Sequence, residues 1–174
     1  MPYVIFPAGP DDAWDLAETH VASWRESYRG LIADAYLDRM SVPLHARRFA
    51  HALSRPGPHD ATLVAAARSG MVGYMAGGPS RTGRLGEAEI QTLYVRRAAQ
   101  HVGLGRQLLV AAARVFADQG ARSLMISTLR DNMPARGFYE HLGGKAETPR
   151  PEPGPGGVVY EVSYVWPDIQ LLTR

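Results

Sequence analysis

The chain has 174 residues, 45% of them hydrophobic, and 19 Lys and Arg against 17 Asp and Glu leave a formal net charge of +2. That length fits a single α/β domain over 1–174, able to bury roughly two-thirds of its unfolded surface. The absence of cysteine excludes disulfides, thiolate metal sites and cysteine nucleophiles.

The first element read along the chain is YVIF (Tyr3–Phe6), a short strand that Pro7 ends. From Asp11 to Tyr28, the residues Trp14, Ala17, Val21, Trp24 and Tyr28 recur at steps of three and four, one face of a helix. Asp11 or Asp12 is its candidate cap, and Gly30 lies beyond its end. Segments 34–40 and 42–53 read as further short helices, and Ser54–Asp60 as a breaker-rich connection. ATLVAAAR and MVGYMAG, separated by Ser69-Gly70, predict a hairpin. A loop rich in Gly and Arg, 78–86, leads to the strand EAEIQTLYV (Glu87–Val95). A helix from Gly105 stops at Gly120, and SLMIST (Ser123–Thr128) reads as a buried strand. Asn132 caps a short helix with Pro134 in its first turn and Gly143-Gly144 at its end. Pro149–Gly157 reads as a long loop, and VVYEVSYVW (Val158–Trp166) as the closing strand. The alternation of strands and helices predicts a mixed sheet in one α/β domain.

No run approaches the ~18 apolar residues of a membrane span. The N-terminus lacks the basic segment of a signal peptide, so the cytoplasm is the expected compartment. No basic block interleaved with aromatics suggests a nucleic-acid surface. Between the strand ending at Val95 and the next helix lies QHVGLG (Gln100–Gly105). A helix N-terminus offers unpaired N–H groups and about half a positive charge, and glycine lets a phosphate reach them. Gln100, His101, Val102, Gly103, Leu104, Gly105 and Arg106 therefore form a candidate diphosphate cradle, assisted by Arg106, Arg96 or Arg97. The lysine and Ser/Thr of a triphosphate loop are missing, as is the third glycine of a dinucleotide fingerprint.

LYV, then QxxGxG with LL behind it, then NxxAxxFYExLGG from Asn132, together resemble the GNAT superfamily of acetyl-CoA-dependent N-acetyltransferases. The resemblance is strongest from Glu87 to Gly143 and looser over SWRESYRGLIADAYLDRM and the final strand. Gly144 departs from it, because members commonly carry an aromatic there. The resemblance implies a sheet of about seven strands flanked by helices, in which two neighbouring strands splay to admit acetyl-CoA as cosubstrate. Gln100–Arg106 would hold the diphosphate, and Leu93, Tyr94 and Val95 would pair with the pantetheine amides as another strand does. Asn132 would contact the cofactor or merely cap the last helix.

An alkyl amine of pKa about 10.4 is protonated at neutral pH, so acetyl transfer needs a proton acceptor. Glu89 is the candidate base: strict alternation places it on one face with Glu87, Gln91, Leu93 and Val95. Its other reading is a solvated acid or an arginine's ion-pair partner, with Glu87 as the spare. Tyr139, seven residues after Asn132, matches the family's general acid for the departing thiolate; its other reading is a packing aromatic beside Phe138. Trp24 and Tyr28 read as core, and Arg25 and Arg29 as candidate contacts to an acidic group on the acceptor. His20, His45, His51, His59, His101 and His141 show no metal spacing and read as surface or capping residues, and no G-x-S-x-G elbow occurs. The expected activity is acetylation of a small molecule's primary amine, with stretch 149–157 at the acceptor mouth. The alternatives are a protein N-terminal acetyltransferase and a non-catalytic acyl-CoA-binding regulatory domain. A homodimer is compatible with the resemblance.

Overall fold

In the computed structural model, which describes residues 3–83 and 86–173, eight strands form one mixed sheet. They are β1 (Val4–Pro7), β2 (Ala61–Ala67), β3 (Gly70–Pro79), β4 (Ala88–Val95), β5 (Leu124–Leu129), β6 (Lys145–Ala146), β7 (Arg150–Gly154) and β8 (Gly157–Trp166). Their order is β1-β2-β3-β4-β5-β8-β6, with β7 also pairing β8. Only the β4–β5 ladder is parallel. Arg84 and Leu85 of the predicted Gly/Arg-rich loop lie outside the described residues.

Strand alternation sorts the side chains onto two faces. Leu63, Ala65 and Met75 meet α4 (Leu104–Asp118) in the main core, where Leu108, Leu109, Ala112 and Phe116 are fully buried. The intervening Val64 and Tyr74 meet α1 (Ala13–Tyr28) and α3 (Val42–Ser54) through Leu16 and Phe49. A third cluster seats the short α2 (Asp34–Arg39) on α1 through Leu37 and Val21. Trp14 departs from its predicted face: it is exposed and donates its indole N–H to Glu18 at 3.0 Å.

Two departures matter for function. The predicted loop 149–157 contains β7, which forms a hairpin with β8 through the turn at Gly154↔Gly157. Pro151 and Pro153 are tolerated because β7 is an edge strand with one ladder partner. Together with the two-residue β6, this raises the sheet from about seven strands to eight. The second departure is a bulge in β4, where the β3 register passes from Gly77↔Ile90 to Ala76↔Thr92 and leaves Gln91 unpaired. Gly77 is required there, because a Cβ would collide with the Glu89 carbonyl.

Candidate active site

The β4–β5 ladder runs only from Ala88↔Leu124 to Ile90↔Ile126, and beyond it the strands part. The gap opens into a cavity of about 860 Å³ lined from both faces of the sheet. On the α4 side stand Thr128, Phe138 and Tyr139, the last two from α5 (Met133–His141). On the α1 side stand Trp24, Tyr28, Leu129 and Glu161.

One end of the cavity is the N-terminus of α4. Gly103 adopts φ +82°, a left-handed conformation that a side chain resists. The first helical bond runs from Gln107 N–H to Gly103 C=O at 3.1 Å, so the amides of Leu104, Gly105 and Arg106 have no helical acceptor. Gly105 serves a different need: a Cβ there would lie 3.2 Å from the Phe138 ring, so glycine lets α5 pack close. Gln100, His101, Gly103, Gly105 and Arg106 line the cavity. The side chains of Val102 and Leu104 do not; Val102 is exposed and Leu104 sits in the core. Gln100 ties the turn to β4 by donating from Nε2 to the Val95 carbonyl at 2.9 Å. Arg96 is committed elsewhere, bound to Glu26 at 3.1 Å, and Arg97 donates its backbone N–H to the same carboxylate at 3.0 Å.

The β4 edge at Leu93, Tyr94 and Val95 borders the cavity without a β5 partner. Leu93 and Val95 pack toward α4, while Tyr94 turns to the other face and meets the Tyr28 hydroxyl at 2.9 Å. Asn132 caps α5, its Oδ1 accepting from Ala135 N–H at 3.3 Å, and it also lines the cavity.

Tyr139 is buried between Phe138 and Tyr164, whose ring centroids lie 5.3 and 5.4 Å away. Its hydroxyl has no hydrogen-bond partner among the described residues, and the ring borders the cavity. Burial first, then the neighbouring Tyr28 and Tyr164, pushes the phenol's pKa up, so it carries its proton at neutral pH. The absence of an aromatic at 144 has its reason here. A Cβ on Gly144 would lie 2.8 Å from the Trp166 ring and 3.0 Å from the Tyr139 carbonyl. Trp166, reaching in from β8 and donating to the Leu142 carbonyl at 2.8 Å, occupies that space instead.

The acetyltransferase (GNAT) family model matches residues 16–144. The chain belongs to that family. YuaI of Bacillus subtilis, an uncharacterized N-acetyltransferase, is 26% identical over 164 residues, covering 93% of this chain and 91% of that protein. The PaiA N-acetyltransferase of Thermoplasma acidophilum, in complex with coenzyme A, superposes with a TM-score of 0.72 at 20% identity, over 95% of this chain and 100% of that one. YncA of Salmonella typhimurium, with its cofactor acetyl-CoA, gives 0.68 at 17% identity, over 95% and 92%. The structural matches share the fold.

In this N-acetyltransferase several sequence expectations are revised. Glu89 does not share a face with Leu93 and Val95. The bulge at Gln91 puts Ile90 with them against α4 and turns Glu89 to the opposite side. There it is buried, accepts from the Arg81 backbone N–H at 3.0 Å and from Arg81 Nε at 3.1 Å, and stays off the cavity wall. Glu87 lies just outside β4 and pairs with Arg122 at 2.8 Å, which holds its carboxyl below the usual range. Arg25 and Arg29 are structural: Arg25 donates to the Leu37 and Met40 carbonyls, and Arg29 pairs with Asp38 at 2.8 Å. Trp24 and Tyr28 pack against the Val21, Leu37 and Met40 cluster as expected, and their exposed parts also line the cavity. His20, expected at the surface, is buried against the Tyr74 hydroxyl at 2.6 Å.

The residue that sequence reasoning missed is Glu161. It is the only carboxylate on the cavity wall among the described residues. Its one sequence signal is a charge in the middle of the otherwise uncharged strand VVYEVSYVW. Burial first, then the charge of Glu152, raises its pKa; Arg81 opposes the shift and Glu89 adds to it.

Proposed function

We propose that this enzyme transfers the acetyl group of acetyl-CoA to the primary amine of a small molecule by direct attack on the thioester. The observation that carries the reading is the cavity itself. It joins free amides and Arg106 at the α4 N-terminus to an unpaired strand edge and then to the phenol of Tyr139. Those features suit, in order, a diphosphate, the two amides of a pantetheine arm and a departing thiolate. The coenzyme A and acetyl-CoA complexes among fold relatives support the same cosubstrate.

A small acceptor is favoured over a peptide by the β7–β8 turn. Gly156 approaches the segment before α2 so closely that a Cβ on it would lie 3.3 Å from the Ala33 Cβ. That contact, with Trp24, Tyr28 and Ile32 behind it, bounds the acceptor side of the cavity, whereas an extended peptide needs an open groove. In the reaction, the amine nitrogen bonds to the acyl carbon and the carbon–sulfur bond breaks. Free N–H groups of β4 at and beyond the bulge stabilise the oxyanion. The sulfur takes the Tyr139 proton, and water restores it. Calorimetry with acetyl-CoA, followed by detection of released CoA thiol across a panel of amines, tests the reading. Absence of binding heat refutes it; transfer to peptide N-termini alone refutes the small-molecule acceptor.

A further inference from the structure

We propose that Glu161 binds the ammonium group of the acceptor and takes its proton, and that acceptors are therefore aliphatic amines with no carboxylate beside the reacting nitrogen. The inference rests on the acetyl-transfer reading above and specifies its acceptor side.

The cavity has opposite charges on the two faces of the sheet. Among the described residues lining it, Arg106 is the only arginine or lysine and Glu161 the only carboxylate. Val162 and Tyr164 of β8 pack in the α4 core, so alternation turns Glu161 to the α1 face, away from Arg106. Trp24 and Tyr28 wall that same face, their rings 5.0 Å apart and edge to face. A carboxylate set beside aromatic rings suits an alkylammonium, which gains both an ion pair and a cation–π contact.

The charged groups around Glu161 leave it available. Arg81, from the segment after β3, is bound to Glu89 of β4. Arg150 is the cross-strand neighbour on β7 and forms no ion pair with Glu161 among the described residues. Glu152, also on β7, and Glu89 add negative charge, which together with burial shifts the carboxyl toward neutrality, where a general base works best. An acceptor's α-carboxylate would meet this acidic wall with no arginine or lysine on the wall beside it among the described residues, Arg150 being exposed and off the cavity lining. Arg25 is held by backbone carbonyls, Arg29 by Asp38, Arg81 by Glu89, and Arg106 lies across the sheet.

The proton inventory closes. Glu161 takes one ammonium proton and passes it to water, and the neutral amine forms the N–C bond. Its second surplus proton leaves to water as the C–S bond breaks. The sulfur receives the Tyr139 proton, and water reprotonates the phenolate, for a net release of one proton.

Phenethylamine and phenylalanine, which differ by one α-carboxylate, provide the test on the full chain. We expect kcat/KM for phenethylamine to exceed that for phenylalanine by ~10-fold or more. Glu161→Gln should lower kcat/KM for phenethylamine by ~10²-fold or more and flatten the acid limb of its pH profile. The same variant should lose calorimetric binding of phenethylamine to the protein–CoA complex while keeping its acetyl-CoA affinity. Glu152→Gln should move the acid limb to lower pH, because its charge no longer raises the Glu161 pKa; it carries the test alone if Glu161→Gln fails to fold. Equal use of the two amines, or an unchanged rate and profile in the variants, overturns this inference while the acetyl-CoA reading stands. Absence of acetyl-CoA binding to the wild-type chain overturns both.

Discussion

Acidification from pH 7.5 to pH 5 is expected to destabilise this fold by about 2 kcal/mol through His20 alone. The ring is buried between α1, α3 and β3, with the His45 ring 4.6 Å away and the Phe49 ring 5.8 Å away. Burial first, then the charge of His45, lowers its pKa from 6.5 to about 3. Burial raises the pKa of Tyr74, so the phenol keeps its proton and shares a hydrogen bond of 2.6 Å with Nδ1 of the neutral ring. Below pH 6.5 the unfolded chain binds a proton at this site that the folded chain does not. Stability therefore falls as the pH drops, with a slope approaching about 1.4 kcal/mol per unit, and levels off near the folded pKa of about 3. The 2 kcal/mol corresponds to roughly 4–8 °C in melting temperature for a chain of this size. Urea midpoints at pH 7.5, 6.5, 5.5 and 5 for the wild type and His20→Gln give the measurement. Glutamine keeps an acceptor for Tyr74 but does not titrate, so its curve should be flatter, with a remainder from the half-buried His45. Parallel curves for the two proteins would refute the assignment.

Three further outcomes are expected. Tyr139→Phe should lower kcat by ~10²-fold or more and leave the affinity for acetyl-CoA unchanged, measured by thiol release and calorimetry; an unchanged kcat retires Tyr139 as the acid. Gly103→Ala should cost about 1–2 kcal/mol from backbone strain, because no atom lies within 4 Å of the added Cβ. Thermal melting and the acetyl-CoA affinity should both report that loss. Gly144→Ala should lower stability by about 1–3 kcal/mol, because the methyl would press on Trp166 and the Tyr139 carbonyl. A melting temperature equal to that of the wild type would show that Trp166 can give way.

What the sequence made legible was local chemistry. The Asn132 cap and the Ser69-Gly70 hairpin each depend on a few neighbouring atoms, and each stands where the residues imply. The prolines of β7 argue against a strand for any segment taken alone, and only an unoccupied edge of β8 makes room for them. His20 is polar in sequence, and its burial depends on the convergence of three elements, one of them β3, far along the chain.

The carboxylates show the same limit most sharply. Alternation assigned Glu89 to the face of Leu93, and one extra residue at Gln91 reverses that assignment for everything before it. An unbulged strand would press Glu89 into the α4 core and expel Ile90, which is 1% exposed and packs there. Burial of such a side chain contributes about 1.5–3 kcal/mol, and an unpaired carboxylate in its place would cost more. The bulge avoids both penalties and brings Glu89 to Arg81, with Gly77 supplying the space. Since β4 thus commits its acid to an ion pair, a carboxylate facing the slot has to come from another strand, and among the described residues β8 supplies it as Glu161.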